Sequence, residues 1–163
     1  MTEARQAIRA DVPQLDALGP RVCANAVRVL AIAFDPQSWR LTIDEFLRLP
    51  DRRMFVAADG ERIAGVLAVI ACPALFARGA NVVRVATLWV DKAARGHGVA
   101  RKLHGLAEAW TREVGASAMF AGVPHDYDAH QELGDDASPA DAIRFYRGQS
   151  YQPAEASFIK EIR

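Results

Sequence analysis

The sequence predicts a mixed α/β fold, a sheet with helices packed on it. Three observations point there. The stretch "RMFVAADGERIAGVLAVIA" reads as a hairpin, two β-rich runs flanking Asp59-Gly60, a pair favoured in tight turns. The stretch "NVVRVATLWV" is rich in β-branched residues and reads as a third strand of that meander. After it, "ARGHGVARKL" opens a segment in which Val99, Leu103, Leu106, Trp110 and Val114 recur at helical spacing.

The remaining elements follow in chain order. "RQAIR" is a short first strand. "ADVPQLDALGPRVCANAVRVLAIAF" has helical period, with Val22, Ala26, Val29 and Ala33 on one face, and Gly19-Pro20 is expected to split it. "TIDEFLRL" carries Thr42 and, three residues on, Glu45, a capping-box signature for a helix start. Gly115 suits the end of the helix that follows the glycine turn. "SAMFAGV" is a further strand, Ser138-Pro139 with Asp141 opens a helix through "ADAIRFYRG", and "ASFIKEI" closes as a strand. Residues 124–138, "PHDYDAHQELGDDAS", form the one long polar loop.

Composition narrows the function classes. The chain has 163 residues, 51% hydrophobic and 25% charged, as expected of a single globular domain spanning 1–163. Twenty Lys plus Arg balance twenty Asp plus Glu, which argues against bulk electrostatic binding of nucleic acid but leaves room for a local basic pocket. Cys23 and Cys72 lie far apart and form no CxxC pair, so the expectation is two buried free thiols and no metal site. The N-terminal residues lack an apolar signal-peptide core, and "IAGVLAVIACPALFA" is too short to span a bilayer. The expected setting is soluble and cytoplasmic, with no membrane partner.

The glycine turn is where chemistry enters. A strand feeding a bare turn that opens a helix presents unpaired backbone N–H groups and the positive end of the helix dipole. That arrangement binds anions. Gly96 and Gly98 let a phosphate approach the backbone, and Arg95, Arg101 and Lys102 add positive charge. The sequence lacks the Walker pattern GxxxxGK[ST]. It also fails the dinucleotide pattern GxGxxG, because Gly96-His97-Gly98 is followed by Val99-Ala100-Arg101. A tight turn with no ligand stands beside the phosphate reading.

"LWVDKAARGHGVARKL" resembles motif A of the GNAT superfamily of acetyl-CoA-dependent N-acetyltransferases, in which Q/R-x-x-G-x-G/A follows an apolar strand. Arg95, Gly98 and Ala100 fill the three defined positions. "ADAIRFYRGQSYQP" resembles motif B through Ala142, Phe145 and Tyr146. It departs from that motif at Pro139, where asparagine is frequent, and at Ser150-Tyr151, where Gly-Phe is usual. The resemblance implies a mostly antiparallel central sheet with a splayed strand pair. It implies that backbone groups of Leu88, Trp89 and Val90 pair with the pantetheine arm of acetyl-CoA. It further implies that the N–H groups of Gly96, His97, Gly98, Val99 and Ala100 hold the pyrophosphate, with Arg95 beside them. Tyr146 is then the expected donor to the departing sulfur and Val90 N–H the expected partner of the thioester carbonyl. Members of the family often dimerise, so a homodimer is one expected state.

Transfer to an amine also calls for a base, since an alkylamine of pKa near 10 is only about one part in a thousand neutral at pH 7. "NVVRVATLWV" holds no carboxylate. The loop offers His125, Asp126, Asp128, His130 and Glu132, though any single one of them reads more readily as a solvated loop residue. With Asp135 and Asp136, the acids of that loop suggest a cationic acceptor, a small-molecule amine or basic peptide. His97 reads as a phosphate contact or an exposed turn residue. Arg84 reads as an acceptor-groove or snorkelling residue. Trp39, Phe46 and Trp89 read as core, the first two also as an acceptor wall. The expected activity is acetyl transfer to a primary amine; a non-catalytic acyl-CoA-binding module is the alternative, and a dinucleotide enzyme a third class.

Overall fold

Alternation and turn chemistry build the centre of the molecule. Strands β2 (Arg52–Asp59) and β3 (Arg62–Pro73) form the expected hairpin. Asp59 pairs with Arg62, so the two-residue loop is Gly60-Glu61 rather than Asp59-Gly60. Gly60 has φ of +61°, as glycine at the first position of a type II′ turn requires. The Gln14 side chain braces that turn, donating to Glu61 O and accepting from Ile63 N at 3.0 Å. Strand β4 (Asn81–Val90) coincides with the expected "NVVRVATLWV". With β1 (Glu3–Gln6) and β5 (Ala116–Ala121) these strands make one sheet in the order β1-β2-β3-β4-β5. All neighbours are antiparallel except β4 and β5, which are parallel. A parallel pair needs a crossover, and helix α3 (Val99–Glu113) supplies it.

The computed structural model describes residues 2–24, 33–74, 78–122 and 139–153. Residues 1–23 with 35–121 make one compact unit, and residues 24–34 with 122–163 a second. The second half of the expected early helix, the polar loop and the expected strand at 156–162 lie outside the described residues.

Three boundaries differ from expectation, each for a local reason. β1 ends at Gln6 because Asp11 folds back, accepting from Ile8 N at 2.8 Å and from both Arg5 Nη atoms at 2.7 and 2.8 Å, which draws residues 9–11 into a 3₁₀ turn. Helix α1 (Val12–Val22) runs through Gly19-Pro20 rather than breaking there. Pro20 lies in its last turn, where one missing N–H bond costs little continuity. Helix α2 (Pro36–Arg48) begins six residues before Thr42, capped by Asp35, which accepts from Gln37 N at 3.1 Å and Ser38 N at 3.0 Å. Thr42 sits inside that helix and returns its hydroxyl to Ser38 O at 2.9 Å. The overlooked signal was Asp35-Pro36, a cap residue followed by proline at the first helical position.

The apolar stripe of α3 packs on the sheet. Val99, Leu103, Ala107 and Trp110 join Phe55 and Leu67 in one buried cluster. A fully buried aliphatic side chain of this kind stabilises by about 1.5–3 kcal/mol. Leu106 and Val114, also expected in the stripe, are only partly buried against that cluster.

β4 carries the feature that shapes the site. Ala68 pairs with Thr87 and Val69 with Val85, which leaves Ala86 as an extra residue, a β-bulge. Side chains on one face alternate by two, so the bulge changes parity. Val83 and Val85 pack with α3 before it, and Leu88 and Val90 do so after it. Thr87 and Trp89 then face α1: the Thr87 hydroxyl donates to Val22 O at 3.4 Å, and Arg21 lies 5.1 Å from the Trp89 ring centroid. β5 follows β4 only as far as Val85, paired with Ala121. Beyond the bulge, residues 87–90 have no strand on that side among the described residues.

Candidate active site

The end of β4 holds the first half of the site. Asp91 N donates to Ala64 O at 2.8 Å, in register with the pairs Gly65–Val90 and Val66–Trp89. Hydrogen-bonded and non-hydrogen-bonded pairs alternate in an antiparallel ladder. Trp89 therefore turns its N–H and C=O toward β3, while those of Leu88 and Val90 point to the open edge. Of the three residues expected to offer backbone groups, Leu88 and Val90 turn theirs outward and Trp89 turns its own toward β3, its side chain buried beneath Arg21. The Val90 carbonyl already accepts from Arg95 Nε at 3.1 Å. This bond draws Arg95 back onto the strand and leaves Val90 N–H directed outward.

The second half is the turn between β4 and α3. Residues 92–94 form a 3₁₀ turn capped by Asp91, whose Oδ1 accepts from Ala93 N at 3.0 Å. Gly96 and Gly98 have φ of +79° and +76°, and a Cβ at either would meet no atom within 4 Å. Their requirement is conformational, and the space in front of them is open. Gly98 caps α3, which has no side-chain cap, and the first helical bond is Lys102 N to Gly98 O at 3.0 Å. The N–H groups of Val99, Ala100 and Arg101 precede that bond and point out of the helix end. Only Asp91 offsets Lys92, Arg95, Arg101 and Lys102 between positions 91 and 102, so a chain of zero net charge is locally basic here. His97 is exposed on this turn. The uncapped amides and open glycines could receive an anion, and the outward strand edge an extended group with hydrogen-bonding amides.

Sequence reasoning missed Asp91, the buried anchor of the turn. It is 5% exposed, and its Oδ2 accepts from Arg62 Nη2 at 2.8 Å and Arg21 Nη2 at 3.4 Å. The Ala93 amide, reinforced by Arg62 and Arg21, holds its carboxyl below the usual aspartate range against the opposing effect of burial. Asp91 thus joins the strand end to α1 and to the start of β3. Its partners are 29 and 70 residues away, beyond any local pattern.

Tyr146 lies in the other unit, on helix α4 (Pro139–Gly148). Its ring contacts Phe145 at 5.3 Å and Tyr151 at 5.1 Å, both edge-on. Burial pushes its hydroxyl up to about 12. The departure at Ser150 is absorbed locally. Ser150 takes φ of +64°, Ser150 N donates to Arg147 O at 3.0 Å and Tyr151 N to Tyr146 O at 3.1 Å. That is a Schellman exit with serine in the place glycine favours, and the Tyr146–Tyr151 contact is the apolar pair that accompanies it.

Other expected residues fall as follows. Trp39 and Phe46 are buried on α2, Trp39 Nε1 donating to Leu15 O at 2.8 Å. Arg84 is exposed on β4. Cys23 and Cys72 are free thiols, only partly buried. His125, Asp126, Asp128, His130, Glu132, Asp135 and Asp136 lie outside the described residues. Among the described residues no group of three or more His, Cys, Asp or Glu could hold a metal ion. No described helix is long and apolar enough to cross a membrane.

The profile of the Acetyltransferase (GNAT) family matches residues 24–134, more than half of the chain. The chain belongs to the GNAT acetyltransferase family. This GNAT chain is therefore an acyltransferase by family. Its fold has solved counterparts. A transcriptional regulator from Bacillus halodurans C-125 superposes with a TM-score of 0.76 at 20% identity, covering 99% of this chain and 100% of that one. An aminoglycoside N-acetyltransferase in complex with CoA gives 0.72 at 16% identity over 100% and 95% of the two chains. The aminoglycoside antibiotic 6'-N-acetyltransferase from Acinetobacter haemolyticus gives 0.71 at 15% identity over 99% of each. Comparison with curated proteins found no match. At these identities the solved structures establish the GNAT fold, a mostly antiparallel open sheet flanked by helices.

Proposed function

We propose that this protein transfers the acetyl group of acetyl-CoA directly to a primary amine, and that residues 1–163 work as one acetyltransferase domain. The family match crosses both compact units, which supports the single-domain reading. One observation carries the coenzyme assignment: the outward backbone of Leu88 and Val90 runs into the uncapped end of α3 at Gly98. The pantetheine amides would add to the open β4 edge as a further strand would. The N–H groups from Gly96 to Ala100 would take the pyrophosphate, and Arg95, held at Val90, would add its charge. No metal is required.

Three steps share the chemistry. The neutral amine attacks the thioester carbonyl, Val90 N–H stabilises the developing oxyanion, and the C–S bond breaks as Tyr146 donates to the departing sulfur. Tyr146 at about 12 stands well above a thiol near 8.5, so complete proton transfer would cost about 5 kcal/mol. Tyr146 therefore acts as a hydrogen-bond donor that strengthens with sulfur charge. The proton lost by the amine goes to a base among His125, Asp126, Asp128, His130 and Glu132, or to water.

The solved neighbours described as aminoglycoside acetyltransferases direct the acceptor screen to aminoglycosides and other small amines first, with basic peptides second. The proposed setting is the cytoplasm, where acetyl-CoA is at hand. The absence of a carboxylate on β4 favours a second reading, an acyl-CoA-binding module without turnover.

Calorimetric titration with acetyl-CoA is the first test, repeated on Gly98→Glu, which sets a negative side chain before the α3 amides. Binding in the wild type and its loss in the variant support the site. Release of free thiol with an amine panel then separates enzyme from binding module. With a reactive amine, Tyr146→Phe is expected to lower kcat by about 10- to 100-fold with little change in the KM for acetyl-CoA.

A further inference from the structure

We propose that Gly65 is a positioning residue for the coenzyme. It is the fourth residue of β3, between Ala57 of β2 and Val90 of β4. Its backbone is outside the left-handed region, so no turn or strain calls for glycine there. Space does. A Cβ on Gly65 would stand 2.9 Å from Val99 Cγ1, 3.0 Å from Leu103 Cδ1 and 3.4 Å from Trp89 O. The first two atoms belong to the opening turns of α3. Val99 is the residue directly after Gly98, and its amide is one of those directed out of the helix end.

The nearer neighbour, Val99, cannot give way cheaply, whereas Leu103 meets the methyl with the far end of a flexible side chain. A valine in a helix has essentially one χ1 rotamer, and Val99 is 2% exposed. Leu103 is completely buried. An added methyl therefore lifts the start of α3 from the sheet instead of turning a side chain. The bare Cα of Gly65 lets the helix settle against the strand that faces Val90. It sets the distance between the outward edge of β4 and the amides of Val99, Ala100 and Arg101. A pyrophosphate tied to a pantetheine arm must satisfy both at once, and hydrogen bonds weaken over a few tenths of an ångström.

This inference rests on the acetyl-CoA reading, and the test distinguishes the two. Calorimetry with acetyl-CoA is run on the wild type, on Gly65→Ala and on Gly65→Ala/Val99→Ala, with thermal unfolding recorded for each. The expectation is that Gly65→Ala unfolds cooperatively yet binds about tenfold more weakly. The double variant, lacking the Cγ1 that the new methyl meets, regains most of that loss. If Gly65→Ala does not fold, the double variant decides: near-wild-type binding supports the role, and a folded protein with weak binding overturns it. Unchanged affinity in Gly65→Ala, or no recovery in the double variant, overturns the role of Gly65 while leaving the coenzyme reading intact. A wild type that does not bind acetyl-CoA removes both.

Discussion

Gly98 and Asp91 show how single residues make the turn. At Gly98 the constraint is φ of +76°, with open space where a side chain would go. Gly98→Ala should therefore lower stability by about 1–2 kcal/mol through backbone strain alone, read by denaturant unfolding. Asp91 works by charge. Asp91→Ala leaves the Ala93 amide without its acceptor and returns Arg62 and Arg21, both more than half exposed, to solvent, and should cost about 1 kcal/mol. The sign of its pH dependence follows from its lowered folded-state pKa. Its contribution is complete above an unfolded aspartate value of about 4 and is lost as pH falls through the folded value. Wild type and Asp91→Asn should differ in stability at pH 6 and converge below about pH 4, in parallel denaturation series. Gly98 was legible in the sequence through its place in a glycine turn. Asp91 was not, since its role depends on Arg21 and Arg62, which only the fold brings to it.

Elements were read best where local chemistry decides them. The hairpin, β4 and the stripe of α3 follow from alternation, β-branching and helical period. Errors fell at boundaries where two local signals competed. Thr42 with Glu45 imitated a capping box, while Asp35-Pro36 was the actual helix start. Gly19-Pro20 signalled a break, and α1 does end, but two residues later at Val22 with Cys23 as its cap. At the exit of α4, Ser150 carries a left-handed φ of +64° that glycine would adopt freely. Ser150→Gly should stabilise the protein by about 0.5–1 kcal/mol, the relieved strain exceeding the added unfolded-state entropy. A rise in the denaturation midpoint at constant slope is the measurement.

For the whole molecule, coenzyme binding and folding are linked. A ligand that binds only the native state adds about 2.7 kcal/mol at one hundred times its Kd. For a chain of 163 residues this corresponds to a rise of about 5–10 °C in Tm. The expected rise in a thermal shift series with acetyl-CoA should be larger for the wild type than for Gly98→Glu. An equal rise in both would move the coenzyme away from the turn. Zero net charge conceals the basic segment at 91–102, so net charge alone says little about anion binding here.

By itself the sequence determined the mixed α/β class, the order of its main elements and the glycine turn that opens α3. These rest on periodicity, turn residues and a short motif, all carried by neighbours along the chain. Tertiary structure decided the bulge at Ala86, which exchanges the two faces of β4, and the ladder phase that leaves Leu88 and Val90, not Trp89, on the open edge. It also decided the anchoring of Asp91 and the bare contact of Gly65 with α3. Each of these depends on residues distant in sequence meeting across strands and layers, and no local pattern encodes the register in which they meet.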